Sequence, residues 1–500
     1  MKPETGCITE KHSSVFIIFG ATGDLTRRKL MSAFYNLVSD KLLPKSFAII
    51  AIGRRDKTKE EYLEEVHEAI IKHSRNRIDP EVWERLSSMI IYYKFDFMNL
   101  DGYGELNEFI KGVERTHCTG GNRVFYLAVA PVFFEIIVDG IQRGKLTDCG
   151  TGFCRCVIEK PFGKDLKTAT KLNESILKVF PEQSVYRIDH YLGKDMIQNI
   201  MVLRFSNSVF ESIWDNKHID NIQISLTEEL GVGLRGNYYE QSGAMRDMFQ
   251  NHIMQIMSLV AMEPPINLNM DSIRNEKQKV LQSIEEITDD YLKNNVVFGQ
   301  YGAGEIKGES VPSYRDEENV DPNSSTETFV ALKMKINNFR WAGVPFYIRT
   351  GKRMGTSSGE IIVQFKDLPN TLYYKENRVK QPNLLILHIQ PNVGVFFQFN
   401  TKDFGPHNDI VPAKMDTGSF IPDQGNTPEA YERLIYDIVR GDASLFSRWD
   451  EVESAWNIAD CIINYRERMK LDFPNYEAGS MGPKKAFELI EKDGRHWIDV

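Results

Sequence analysis

Short apolar runs alternate with amphipathic helical patterns through the first third of the chain, and this rhythm restricts the fold more than any other feature. Val15–Phe19 reads as a strand ending at Gly20. A helical stripe of Leu30, Ala33, Phe34, Leu37 and Lys41 follows, and Pro44 closes it. Phe47–Ile52 is the next strand, with helices at Lys59–Lys72 and Pro80–Met89. A strand at Ile90–Phe97, a helix at Tyr103–Arg115 and a strand at Val124–Ala130 come after. Pro131 opens a helix running towards Gly144; a strand at Cys154–Glu159 and a helix at Leu166–Phe180 complete the series. Repeated βα units of this length predict an α/β, Rossmann-like, doubly wound parallel sheet.

The rest of the chain keeps a different pattern. Helices are expected at Met196–Phe205 and Gly243–Ala261, with a strand at Ile219–Glu228 between them. Strands then follow one another at Phe329–Ile336, Pro345–Thr350, Ile361–Phe365, Leu384–Gln390 and Val393–Phe399, before helices at Ala430–Val439 and Glu451–Lys470. Successive strands without helices between them predict a mainly antiparallel sheet, hence a larger α+β domain. The stretch Gly308–Glu327 is polar and reads as a surface loop. A chain of 500 residues exceeds one core, and the expected domains are residues 1–183 and 184–500.

A net charge of −9 argues against a nucleic-acid or membrane surface as the main partner. MKPETGCITEKHSS has no apolar stretch of signal type, and no later run reaches membrane-spanning length, so the expected location is cytoplasmic. Cys7, Cys118 and Cys461 are scattered, whereas Cys149, Cys154 and Cys156 cluster with a spacing that fits no zinc template. No metal is expected.

Gly20-Ala21-Thr22-Gly23-Asp24-Leu25 occupies the first βα turn, where glycines let backbone N–H groups approach a pyrophosphate at a helix N-terminus. At the end of the second strand an NAD enzyme carries an acid for the ribose diol; this chain carries Gly53-Arg54-Arg55. A guanidinium suits a 2′-phosphate, so NADP is the expected coenzyme. Lys160, in Glu159-Lys160-Pro161-Phe162-Gly163, ends the last strand of the series at the sheet edge where ligands bind. In Tyr186-Arg187-Ile188-Asp189-His190-Tyr191-Leu192-Gly193-Lys194, helical winding after Asp189 would set His190 and Lys194 on one face with a phenol nearby, a seat for a phosphate. His252 sits on an apolar helix, and an imidazole there is suited to taking a hydroxyl proton near neutral pH. A carboxylate such as Asp189 could hold its tautomer.

GATGDLTRRKL, EKPFG, YRIDHYLGK, RDMFQNH, the VPFYIRTGK run and the AYERLIYDI run appear in the order seen in the glucose-6-phosphate dehydrogenase family, which the chain resembles from about Val15 to about Trp456. The resemblance implies oxidation of glucose 6-phosphate at C1 to 6-phospho-D-glucono-1,5-lactone with hydride transfer to NADP+, by a homodimer or homotetramer. It implies that His252 is the general base, that Asp189 orients it and that Lys160 contacts substrate and coenzyme. His190, Tyr191 and Lys194 would bind the phosphate. Glu228, Asp247, Lys352 and Gln390 would hold sugar hydroxyls or the phosphate. Gly20, Ala21, Thr22, Gly23, Asp24, Leu25, Arg54 and Lys160 would form the coenzyme site. Animal members have a second, structural NADP site; this chain has Ser358, Ile362, His388, Phe396, Gln398 and Met481 at the matching positions, so that site is expected to be lost. Phe134 stands where a tyrosine is common near the nicotinamide, and Ser357 where an arginine is common near the sugar phosphate. The alternative is a catalytically silent NADP-binding sensor, against which the intact His252, Asp189 and Lys194 set argues.

Overall fold

A computed structural model describes residues 12–369, 381–404, 406, 409–416 and 428–499; Cys7 lies outside the described residues. The chain forms two compact units. The first comprises Met1–Gly193, Asn267–Arg274 and Asp423–Glu453, and the second Lys194–Ile266, Asn275–Pro422 and Ser454–Val500. The two are interleaved along the sequence, whereas a boundary between residues 183 and 184 cuts the chain into two contiguous pieces.

In the first unit, β1 (Ser14–Phe19), β2 (Phe47–Gly53), β3 (Ile90–Lys94), β4 (Arg123–Leu127), β5 (Cys154–Ile158) and β6 (Val185–Ile188) pair in the order β6-β5-β4-β1-β2-β3. Every one of these pairings is parallel. β1 and β2 are buried at each position, which is why they read as unbroken apolar runs: helices cover both faces of a parallel sheet. The helix at Pro80–Met89 has the expected limits, with Asp79 accepting the N–H groups of Glu81 and Val82 and proline at the first turn. The helix at Lys59–His73 starts in a capping box between Thr58 and Glu61.

A late segment completes this unit. Phe446–Ser447 pairs antiparallel with β6. The helix Ala430–Arg440 presents Glu432, buried, to the Arg75 guanidinium at 2.9 Å and to the Asn36 amide at 2.9 Å. Arg155 Nη1 donates to the carbonyls of Ile438 at 2.6 Å and Val439 at 2.9 Å near that helix's end. A carboxylate this deep requires such partners.

In the second unit, eight strands pair in the order Ile410–Asp416, Gly394–Lys402, Leu384–Gln390, Ser358–Phe365, β7 (Ile219–Thr227), Pro345–Gly351, Phe329–Lys335 and β8 (Val296–Gly299). All neighbours are antiparallel except β7 and Pro345–Gly351. The stretch read as a surface loop at Gly308–Glu327 is more ordered than that. Glu309–Val311 pairs with Gly304–Ile306, and Tyr314 is buried with its hydroxyl donating to Glu240 at 2.5 Å. One apolar phenol in a polar run anchors it. Among the described residues, no helix is long and apolar enough to cross a membrane.

Burial pushes the Asp437 carboxyl up to about 6, and Arg433, 2.9 Å away, offsets only part of this. The folded state therefore holds the proton more tightly than the unfolded chain. The group's contribution to stability is complete below its usual range and is lost as pH rises through about 6. Measured by thermal melts, the stability of Asp437→Asn relative to wild type should rise by about 2–3 kcal/mol between pH 4 and pH 7; a difference independent of pH contradicts this.

Candidate active site

The coenzyme turn is built by crowding. Gly20 has φ +101, and a Cβ there would lie 2.2 Å from the Ala128 carbonyl oxygen beyond β4, so only glycine fits between the strand ends. The N–H groups of Gly20 and Ala21 donate to the Ile52 carbonyl at 3.1 and 2.9 Å, and Gly23 N–H donates back to Gly20 at 3.0 Å. Thr26 Oγ1 donates to the same Gly20 carbonyl at 3.0 Å. Thr22, Gly23, Asp24 and Leu25 then lead into a helix whose stretch Thr26–Leu30 winds as a π-helix before Met31–Ser39. The result is a tight turn that leads from the carboxyl end of β1 into a helix N-terminus, the arrangement that receives a dinucleotide pyrophosphate.

Arg54 follows β2, whose Ile52 is in register with Phe19 of β1. Its guanidinium lies 5.6 Å from the Phe97 ring centroid and is exposed. The residues present thus fit a coenzyme with a 2′-phosphate: a cation stands where a diol-binding acid would stand.

Lys160 follows β5 at the same edge. The residue before it is more revealing. Glu159 is buried and accepts the hydroxyls of Tyr126 at 2.5 Å and Tyr431 at 3.2 Å. Burial raises the Glu159 carboxyl, and both phenols are also raised by burial with Glu159 adding to it. Sequence reasoning missed this cluster, because Tyr431 comes from a helix far along the chain.

β6 delivers Asp189, His190 and Tyr191 to that edge as well. The Asp189 carboxylate accepts the Tyr191 N–H at 3.0 Å, and Leu192 N–H donates to the Asp189 carbonyl at 3.1 Å. Asp189 and Tyr191 are buried, His190 half-buried. The expected helical face shared by His190 and Lys194 does not form. Residues 190–193 make a turn, and Lys194 is the extended N-cap of the helix Asp195–Phe205. An aspartate that bonds its own backbone two residues on favours such a turn over a helix.

In the second unit, strand register sets the polar groups. β7 and Pro345–Gly351 run parallel with Thr227 opposite Gly351, so Glu228 and Lys352 leave adjacent strands at the same end. Glu228 N–H donates to the Gly351 carbonyl at 3.0 Å, and the Lys352 ammonium donates to the Glu228 carboxylate. The Asp247 carboxylate is 3.8 Å from that ammonium, and the Tyr239 ring centroid 5.1 Å. Lys194 donates to the Gln390 side-chain oxygen, joining two more of the expected residues.

His252 is fully buried. The continuous helix expected at Gly243–Ala261 is three pieces: Gly236–Ala244, a π-helix at Met245–Ile253, and Met254–Ala261. In an α-helix, residues five apart diverge by roughly 140° around the axis. With about 4.4 residues per turn in a π-helix, they diverge by roughly 50°. The wider winding therefore turns Asp247 and His252 towards a common side. Ahead of it, Gly243 has φ +57, and a Cβ there would lie 2.3 Å from the Glu327 carboxylate. Glu327 is buried, 2.7 Å from Arg466, and accepts the Met245 N–H at 3.3 Å.

A dinucleotide turn, a cation for a 2′-phosphate and polar side chains at the carboxyl ends of parallel strands define a nicotinamide-dependent oxidoreductase. Two family models agree: residues 17–199 match the glucose-6-phosphate dehydrogenase NAD binding domain, and residues 201–498 its C-terminal domain. The chain belongs to the glucose-6-phosphate dehydrogenase family. It is 48% identical over 491 residues to a glucose-6-phosphate 1-dehydrogenase of Bacillus subtilis, covering 98% of this chain and 99% of that one. It is 41% identical over 488 residues to that of Mycolicibacterium smegmatis, covering 96% and 97%. A solved structure described as glucose-6-phosphate dehydrogenase in complex with its substrate glucose-6-phosphate superposes with TM-score 0.89 at 32% identity, covering 98% of this chain and all of the other.

Replacing Gly243 with alanine should displace Glu327 from Arg466 and the π-helix start. We expect Gly243→Ala to lose at least about 2 kcal/mol of stability, read as a lowered thermal midpoint. A wild-type midpoint contradicts that role.

Proposed function

We propose that this chain oxidises D-glucose 6-phosphate at C1 to 6-phospho-D-glucono-1,5-lactone, with NADP+ as hydride acceptor. The observation that carries the reading is the arrival of the Gly20 turn, Arg54, Lys160 and Asp189 at the carboxyl ends of four strands of one parallel sheet. The substrate named for the superposing solved structure supports the same choice of sugar phosphate. When bound, NADP+ supplies an electron-poor nicotinamide carbon that accepts hydride.

The chain's own groups do the rest. His252 takes the C1 hydroxyl proton, so the electron pair left on oxygen forms the lactone carbonyl as hydride departs from C1. A buried imidazole suits this, since water cannot compete for its nitrogen. Asp189 orients the ring and stabilises its protonated form. His190, Tyr191 and Lys194 bind the phosphate, whose distance from C1 makes its binding energy a source of orientation rather than of bond-making. Glu228, Asp247, Lys352 and Gln390 hold the sugar, and Lys160 contacts both reactants. Arg54 pairs with the 2′-phosphate beside Gly20, Ala21, Thr22, Gly23, Asp24 and Leu25. In this reading the enzyme is cytoplasmic, a homodimer or homotetramer, with domains at 1–183 and 184–500.

NADPH formation from glucose 6-phosphate by the purified protein tests the whole; absence of it favours a silent NADP-binding sensor. His252→Ala should lower kcat by about a hundredfold or more while leaving substrate KM largely unchanged. A variant keeping more than about a tenth of the wild-type rate removes His252 from the base role. Arg54→Ala should cut the preference for NADP over NAD, as the ratio of kcat/KM values, by about tenfold or more. An unchanged ratio would place the 2′-phosphate elsewhere.

A further inference from the structure

The edge strand β8, the segment 469–475 and one face of the helix Lys484–Glu491 line an open surface pocket of about 730 Å³ in the second unit. That is the size of a small-molecule site. Lys293, Lys470, Lys484, Lys485 and Lys492 line it, against two carboxylates, Asp472 and Glu488. The local sign is opposite to the chain's net charge of −9. Lys484 is paired with Glu488 at 3.9 Å; among the described residues, the other four ammonium groups have no ion-pair partner. The five ammonium groups are exposed and outnumber the two carboxylates, so the rim is an accessible, net positive patch whose mutual repulsion adds nothing to folding stability.

Their placement adds to the cost. Lys484 and Lys485 stand in the first turn of the helix Lys484–Glu491, which holds no acidic residue and no side-chain cap. The positive end of a helix dipole disfavours cations and favours anions. Helix and lysines together therefore point at one missing partner, a polyanion. The floor of the pocket differs from its rim: Val296, Val297 and Leu471 are half-buried and apolar. The pocket shares no residue with the active-site groups, nor with Ser358, Ile362, His388, Phe396, Gln398 and Met481, the positions matched to the structural coenzyme site of animal relatives.

We propose that this pocket binds a nucleoside polyphosphate, with its phosphates on the lysines and the helix N-terminus and its base on the apolar floor. Flexible ammonium groups suit a phosphate chain that takes no single planar geometry. Hydrogen-exchange mass spectrometry of the full-length protein with and without ATP is the test. ATP should slow exchange in peptides spanning 293–298 and 469–492. Lys485→Glu/Lys492→Glu should weaken that protection by about tenfold or more on the ATP concentration axis. The thermal midpoint, and any protection ATP gives the Gly20 turn, should stay as in wild type. Inorganic tripolyphosphate should protect the same peptides only at about tenfold higher concentration. Protection confined to the Gly20 turn, protection unchanged in the double variant, or tripolyphosphate matching ATP would each overturn the proposal.

Discussion

Lys352 is the pivot of the second unit. It is an ammonium at 3% exposure, and such a charge is tolerated only where carboxylates surround it. Glu228 comes from the end of one strand, Asp247 from a π-helix, and Lys352 itself from the end of a third element. Its own backbone is held too: its N–H donates to the Thr328 carbonyl at 3.0 Å, and the Tyr476 hydroxyl donates to its carbonyl at 2.7 Å. Misplacing any one of these elements would strand a buried charge. The requirement to neutralise one group thus fixes the relative positions of several pieces of chain that share no sequence neighbourhood.

The first unit obeys a backbone constraint instead. Parallel strands end together, and each end delivers one functional stretch to the same edge: Gly20 from β1, Arg54 from β2, Lys160 from β5 and Asp189 from β6. The buried Glu159 with its two phenols shows how that edge is stiffened beneath Lys160. Burial raises the Glu159 carboxyl's affinity for its proton, and the two phenol hydroxyls satisfy the oxygen that burial removes from water.

Much of this was legible in the residues alone. Unbroken apolar runs marked β1 and β2 because both of their faces are covered, and the helix expected at Pro80–Met89 has those limits. The glycine turn and the Arg54 cation were equally plain. The π-helix at Met245–Ile253 was not, since nine residues cannot distinguish a winding of 4.4 from one of 3.6 when most are buried on every side. The turn after Asp189 hid for another reason: its cause is one side chain accepting one backbone N–H, a local bond that leaves no periodic trace. Nothing in the residues around Glu432 marks it as buried. Only its distant partners Arg75 and Asn36 account for its burial.

Those partners have a consequence for biosynthesis. The parallel sheet is encoded almost entirely before Gly193, yet its outer strand and a helix that seals it lie between Asp423 and Glu453. A ribosome releases the second unit's strands before that closing segment emerges. The nascent amino-terminal sheet must wait with the free edge of β6 open, and an early stop after residue 193 would leave that edge bare for good.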